Sequence, residues 1–148
     1  MKVVVGGIVE KDGEVLLVQE AKERCYGKWN IPSGGLKTNE SLVEGAIREI
    51  KEETGCDVEI TGLLSLVNDV AEDRIFVAVV FATKLINEKI QYNKNETLDV
   101  KWFDIDDVIN NMDEKLRNVN FVKHGLQNLK EGKIASLDFI KDIRNENK

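Results

Sequence analysis

Between Trp29 and Gly55 the chain changes its period once, from extended to helical, across a bend that follows its only proline. Pro32 disfavours the helical conformation for Ile31, so Trp29-Asn-Ile31 reads as extended, and Ser33-Gly34-Gly35 then demands a sharp turn. From Ser41 to Thr54 the apolar residues Val43, Ala46, Ile47 and Ile50 fall at i, i+3, i+4 and i+7, the spacing of one helical face. Thr38, Asn39 or Ser41 is placed to cap the start, with Ser41 and Glu44 at capping-box spacing. Gly55 sits where a left-handed residue ends a helix. A strand, a glycine bend and an amphipathic helix in so short a stretch exclude an all-helical bundle and an all-β sandwich.

The flanking sequence adds more strands than helices. Val3 to Val9 and Glu14 to Gln19 predict a hairpin closed at Lys11-Asp12-Gly13, because Asp-Gly tolerates the positive φ of a tight turn. A polar loop follows from Glu20 to Lys28. Asp57 to Val67, Asp73 to Leu85 and Leu98 to Phe103 are rich in β-branched and aromatic residues and read as strands. Asp104 and Asp106 open a short helix through Met112. Val119, Val122, Leu126 and Leu129 set a longer one from Asn118 to Lys130, stopped at Gly132. Ile134 to Ile143 fits neither pattern. Strands dispersed among helices predict an α+β or mixed α/β sandwich, and 148 residues without a visible linker predict one domain over residues 1–148.

Acidic residues outnumber basic ones 27 to 21, a formal charge of −6. Such a chain lacks a broad electrostatic grip on a nucleic-acid polymer or an anionic membrane, so an anionic ligand needs a local device such as a metal ion. The apolar runs at 63–67 and 74–82 fall short of the roughly 18 residues of a membrane helix. The apolar start is interrupted too soon by Glu10 and Lys11 for a secretion signal, and the expected location is the cytoplasm. Cys25 and Cys56, without a C-x-x-C motif and with a single histidine, His124, exclude a structural zinc site and a histidine-based nucleophile built around a nearby motif. All three are expected to be partly buried and inert.

One constellation carries chemistry. Gly34, Glu40, Arg48, Glu49, Ile50, Glu52, Glu53 and Gly55 follow the spacing G-x5-E-x7-R-E-φ-x-E-E-x-G, where φ is apolar. At this chain's residue frequencies a chance match is on the order of one in a million. At about 100° per residue, Glu49, Glu52 and Glu53 share one arc of the helix beside its apolar face, aimed at a cleft edge. Three such glutamates alone would suit a solvated acidic stripe; the full spacing tells against it. Magnesium wants oxygen ligands and is typically shared between carboxylates and substrate phosphates, which lets a chain of net negative charge hold a diphosphate.

With its Trp29-Asn-Ile-Pro-Ser-Gly-Gly lead-in and the later Val100-Lys-Trp-Phe-Asp104 segment, this spacing resembles the signature of the Nudix hydrolases. The likeness runs to about Val108. It implies an α/β/α sandwich with a mixed β-sheet and Mg2+- or Mn2+-dependent hydrolysis of a nucleoside diphosphate linked to another moiety. Carried over residue by residue, it implies Glu49, Glu52, Glu53 and the Ser33 carbonyl as metal ligands, Glu49 also serving as a possible general base. Arg48 would orient these carboxylates, pairing with Glu52 and Glu44. Glu40 would support the loop, and Gly34 and Gly35 would admit the close backbone. An acid outside the box often acts as base or extra ligand in the family, and Glu96 is the first choice with Asp99 its rival. Asn39, Lys37 and Cys56 depart from the usual pattern without removing a ligand.

The stretch from Gln19 to Trp29 resembles the entry to the box in the branch that clears oxidised guanine nucleotides. An 8-oxo-guanine nucleoside di- or triphosphate is therefore the expected substrate, with Arg24 or Lys28 on phosphates and Tyr26, Phe76 or Phe81 stacked on the base. The family's ADP-ribose subgroup carries a proline after the box, which is missing here. The alternatives are a silent nucleotide-binding or sensor module, or a hydrolase of a nucleotide sugar or dinucleoside polyphosphate. A small-molecule nucleotide is the expected partner, and a homodimer is the one protein assembly left open. If Glu96 is the base, Glu96→Gln lowers turnover by about 10²-fold or more. Wild-type turnover there, with Asp99→Asn crippled, transfers the role to Asp99.

Overall fold

In the computed structural model, which describes residues 1–146, the elements run β1 (Lys2–Ile8), β2 (Glu10–Lys11), β3 (Glu14–Glu20), β4 (Trp29–Asn30), β5 (Ser33–Gly35), α1 (Leu42–Thr54), β6 (Asp57–Ala71), β7 (Arg74–Asn87), β8 (Thr97–Asp104), α2 (Ile105–Asn111) and α3 (Val119–Glu131). β1 and β7 are parallel neighbours that bury apolar residues on both faces, so their sheet must be covered twice. Val4, Ile8, Ala78, Val80 and Ala82 face one core with Val108 of α2 and Phe121, Val122 and Leu126 of α3. Val5, Val79 and Phe81 face the other, against Ala46 and Ile50 of α1. This period-two split produces the expected α/β/α sandwich. The mixed sheet has the order β5-β1-β7-β6. In the smaller, antiparallel sheet β3 pairs with β2, β4 and β8.

The N-terminal hairpin differs from its sequence reading. Asp12 and Gly13 do take positive φ, but only Glu10 and Lys11 pair with β3. Val3 to Ile8 instead joins β7 in the other sheet. The apolar run is continuous rather than alternating, and that is the pattern of a strand buried on both faces in a parallel pair.

α1 begins and ends as its sequence dictates. Ser41 Oγ accepts the Glu44 N–H at 3.0 Å while the Glu44 carboxylate accepts the Ser41 N–H at 2.9 Å, a reciprocal cap whose serine contributes about 1 kcal/mol. At the other end Thr54 is buried, and its hydroxyl donates to the Ile50 carbonyl at 2.6 Å and accepts the Cys56 N–H at 3.1 Å. Gly55 is left-handed, with φ 85°. Ile47 lies at the edge of the buried face and is 36% exposed, so the apolar stripe is narrower than its spacing suggested.

The segment after α3 has little regular structure. Ala135 exchanges two backbone hydrogen bonds with Leu63 of β6, each 2.9 Å, a short 3-10 turn spans Leu137–Phe139, and Leu137 and Ile140 pack on the α1 side of the core. Cys56 is buried and Cys25 half-buried, both free, whereas His124 is exposed rather than buried. Its Nδ1 lies 2.6 Å from the hydroxyl of buried Ser65 and ties α3 to β6. Among the described residues no helix is long and apolar enough to cross a membrane.

Gly55 and Gly132 are both left-handed, but a Cβ on Gly55 would lie 2.1 Å from the Lys89 carbonyl oxygen while one on Gly132 would meet nothing within 4 Å. Gly132→Ala should therefore cost about 1 kcal/mol in urea unfolding, the strain alone. Gly55→Ala should cost clearly more, about 2 to 4 kcal/mol. Equal losses would contradict the close approach.

Candidate active site

The site is built where β5 meets α1. β5 pairs with β1 at Val5↔Gly34 and Gly6↔Ser33, which presses the glycine bend onto the helix. A Cβ on Gly34 would lie 2.3 Å from Glu49 Oε2, so only glycine leaves the carboxylate its place. Glu53, one turn further on, accepts the Ser33 N–H at 2.7 Å. Burial pushes the Glu53 carboxyl up to about 8; the Ser33 amide opposes this, and the nearby charges of Glu49 and Glu20 add to it. Burial also raises Glu49, against the pull of Arg48. Glu53 therefore favours its protonated form near neutral pH, and burial biases Glu49 in the same direction.

Arg48 organises the rest. Its Nε and Nη2 donate to the two oxygens of Glu40 at 2.9 and 2.6 Å, Nη1 to Glu49 at 2.7 Å and to Glu52 at 3.3 Å, and Nη2 also to the Gly35 carbonyl at 3.1 Å. Glu40 further accepts the Lys37 N–H at 2.7 Å, and the Arg48 hydrogen bonds hold its carboxyl down at about 2. Gly45 admits this carboxylate: a Cβ there would lie 3.0 Å from Glu40 Oε1. Asn39 adopts the left-handed conformation, φ 63°, that its position requires. The expected Arg48 pairing with Glu44 does not form, because Glu44 serves the helix cap and Arg144. Glu49 and Glu53 point inward, while Glu52 stands at the rim with its side chain 51% exposed. Among the described residues no three Asp, Glu, His or Cys side chains already form a cation cage.

Glu20 was not singled out in the sequence, where it was read as the start of a polar loop. It closes β3, is 8% exposed, and accepts from Arg117 Nη1 at 3.3 Å, close enough to Glu53 for its charge to act there. The signal was a glutamate at the end of an otherwise apolar strand. Arg117 also lines a cleft of about 620 Å3 with Lys2, Arg24, Phe76, Asn118 and Asn120. Partial burial and the charges of Lys22, Arg24 and Arg117 hold the Lys2 ammonium below its ordinary value. The cleft's carboxylate, Asp69, pairs with Arg74 at 2.5 Å, and the other charged residues of the lining, Lys2, Arg24 and Arg117, are cationic.

Of the residues proposed to touch substrate, the structure brings Arg24 and Phe76 to this cleft and leaves the others out. Lys28 donates instead to the Glu114 carbonyl, and Tyr26 is exposed on its loop away from the cleft lining. Phe81 is fully buried. Leaving the core would forfeit roughly 1.5 to 3 kcal/mol against about 0.5 to 1.5 gained by stacking. Glu96 stands exposed in the turn before β8, next to Thr97, which pairs with Glu20. Its loop reaches α1 through Gln91, Tyr92 and Asn93, which share a depression with Lys51, Glu52 and Gly55. Asp99 is engaged locally by the Val100 N–H at 2.8 Å.

The NUDIX domain family matches residues 1–124. The chain belongs to the Nudix family. It is 35% identical over 106 residues to human "8-oxo-dGDP phosphatase NUDT18", a match covering 68% of this chain and 31% of that protein. It is 32% identical over 108 residues to "Nudix hydrolase 5" of Arabidopsis thaliana, covering 70% and 36%. The chain thus spans about a third of the length of these curated relatives. Its fold is that of a NUDIX hydrolase from Nitrosomonas europaea, with a TM-score of 0.85 at 23% identity over 95% of this chain and 96% of the other. The Nudix match ends inside α3, so the segment after that helix lies outside it.

The Glu40 carboxyl titrates lower in the folded chain than its unfolded value of about 4.3, so its stabilising contribution is present above that value and is lost as pH falls toward about 2. Glu40→Gln should melt below wild type at pH 6, and the two curves should converge near pH 2. A gap that persists unchanged to pH 2 would show that the ion pair is not the source.

Proposed function

We propose that the chain is a divalent-metal-dependent pyrophosphohydrolase of small nucleotides, with oxidised guanine nucleoside di- or triphosphates as substrate. One observation carries this reading: two inward carboxylates, Glu49 and Glu53, stand against a glycine bend, linked through Glu20 and Arg117 to a cleft lined by Lys2, Arg24 and Phe76. A Mg2+- or Mn2+-sized cation fits that donor set, because hard oxygen ligands are what it requires. Glu49, Glu52, Glu53 and the Ser33 carbonyl are the groups that would hold it, and it would supply charge neutralisation at the diphosphate and a more acidic water.

The chain's own residues then have distinct tasks. Arg48 fixes Glu49, and the Ser33 amide fixes Glu53. Lys2, Arg24 and Arg117 face the phosphates or the groups attached to them, and Phe76 stacks on the base. The Asn118 side chain makes no cap to its own helix and is available, with Asn120, to hydrogen-bond the base edge. Water attacks phosphorus, a new P–O bond forms as the bond to the leaving phosphate breaks, and the water proton passes to Glu49 or Glu96. The likeness to a protein named 8-oxo-dGDP phosphatase supports the guanine assignment. Packing of Leu137 and Ile140 on the shared core supports reading residues 1–148 as one domain.

The test is Mg2+-dependent phosphate release from a panel of 8-oxo-guanine nucleotides, ADP-ribose, a nucleotide sugar and a dinucleoside polyphosphate. The oxidised guanine nucleotides should be turned over fastest. Glu53→Gln and Glu52→Gln should each lose about 10²-fold or more in kcat, and Phe76→Ala should chiefly raise KM. Turnover of another panel member would redirect the substrate. No turnover, with nucleotide bound in the absence of metal, would make the chain a sensor module.

A further inference from the structure

The segment after α3 crosses the molecule and ends on the loop that carries Glu40. Its first hold is the Ala135 bridge to Leu63, where Ile134 packs over Gly62 so closely that a Cβ there would lie 2.3 Å from Ile134 Cγ2. Leu137 and Ile140 then pack on the α1 side of the core. Its last hold is polar. Arg144 Nη1 donates to the Asn39 carbonyl at 2.7 Å and Nη2 to the Glu44 carboxylate, while Asp142 Oδ2 accepts from Arg144 Nε at 2.9 Å and aims the guanidinium. Between these holds a cleft of about 420 Å3, lined by Leu36, Val43, Leu137 and Ile140 among others, remains open under the segment. The Arg144 contacts therefore add a polar hold on the loop beyond the apolar packing of Leu137 and Ile140.

Both acceptors of Arg144 matter to the site. Asn39 holds the strained left-handed turn immediately before Glu40, and Glu44 is the residue that returns the Ser41 cap. Glu40 grips Arg48 through two hydrogen bonds, and Arg48 in turn fixes Glu49. Glu40 keeps this position only while the loop from Leu36 to Ser41 keeps its path.

We propose that Arg144 is a positioning residue: the C-terminal segment is a strap that locks the loop before α1, and through Glu40 and Arg48 it sets where Glu49 stands. This rests on the metal-dependent reading only for its catalytic consequence; the ordering of the loop does not depend on it. The residues of this strap lie outside the stretch matched by the family model.

The test uses the full chain with Arg144→Ala and Arg144→Lys, read by amide hydrogen exchange, Mn2+ titration and thermal melting. Arg144→Ala should speed exchange of the Lys37 and Ser41 amides, which Glu40 and Glu44 protect, and weaken Mn2+ binding by about tenfold. Its melting temperature should stay close to wild type, since the contact is at the surface. Arg144→Lys, which keeps the charge and one donor, should recover part of both effects. Unchanged exchange at Lys37 and Ser41 would overturn the proposal, and so would a global rise in exchange with a matching loss of melting temperature. If the wild-type chain binds no Mn2+, the metal-dependent reading fails, and the strap is judged by the exchange result alone.

Discussion

The Arg48 guanidinium is the interaction on which the site depends. Two carboxylates next to a core repel each other and resist burial, and a cation that holds both offsets these costs. Arg48 does this with a bidentate grip on Glu40 and a single bond to Glu49, while its side chain remains 20% exposed. Lysine would not replace it, because a point charge lacks the planar fork that spans Glu40, Glu49 and the Gly35 carbonyl together. Glu53 is held differently, by a backbone amide, and carries the larger burden of burial. That asymmetry leaves Glu53 without an ion-pair partner among the described residues, and burial favours its protonated form.

The sandwich explains why these carboxylates can sit so deep. α1 buries Ala46 and Ile50 against β1 and β7, so the helix is anchored by its apolar face, which holds Glu49 and Glu53 inward and leaves Glu52 at the rim. β5 adds the opposing wall, and Gly34 brings that wall into contact with Glu49. The same sheet positions the cationic cleft, since Lys2 and Phe76 are register partners on parallel β1 and β7. One sheet therefore carries the wall against the inward carboxylates at β5 and the cationic and aromatic residues of the cleft at the start of β1 and β7.

Local features were legible in the sequence because their physics is short-ranged. The Ser41 cap, the Gly55 stop and the Asp12-Gly13 turn each depend on residues a few positions apart, and each stands where it is expected. The misreadings are equally informative. Val3 to Val9 was paired with its sequence neighbour, yet β1 lies beside β7, because a continuous apolar strand is satisfied only by cover on both faces. Phe81 and Phe76 are similar aromatic residues on one strand, and their alternating faces put the first in the core and the second in the cleft. Lys28 and Arg24 are four positions apart on one loop, and only the folded loop separates their destinations.

The sequence by itself determined the class of fold, the helix with its caps, and the acids that the helix presents, since period, turn chemistry and spacing are encoded within a turn or two of chain. Tertiary structure alone decided which charges distant in the chain meet. Arg117 reaches Glu20 across 97 positions, and Arg144 reaches the carbonyl of Asn39 across 105. Such pairings depend on sheet register and on the path of the closing segment, and an exposed or half-buried charge carries no local pattern that names its partner.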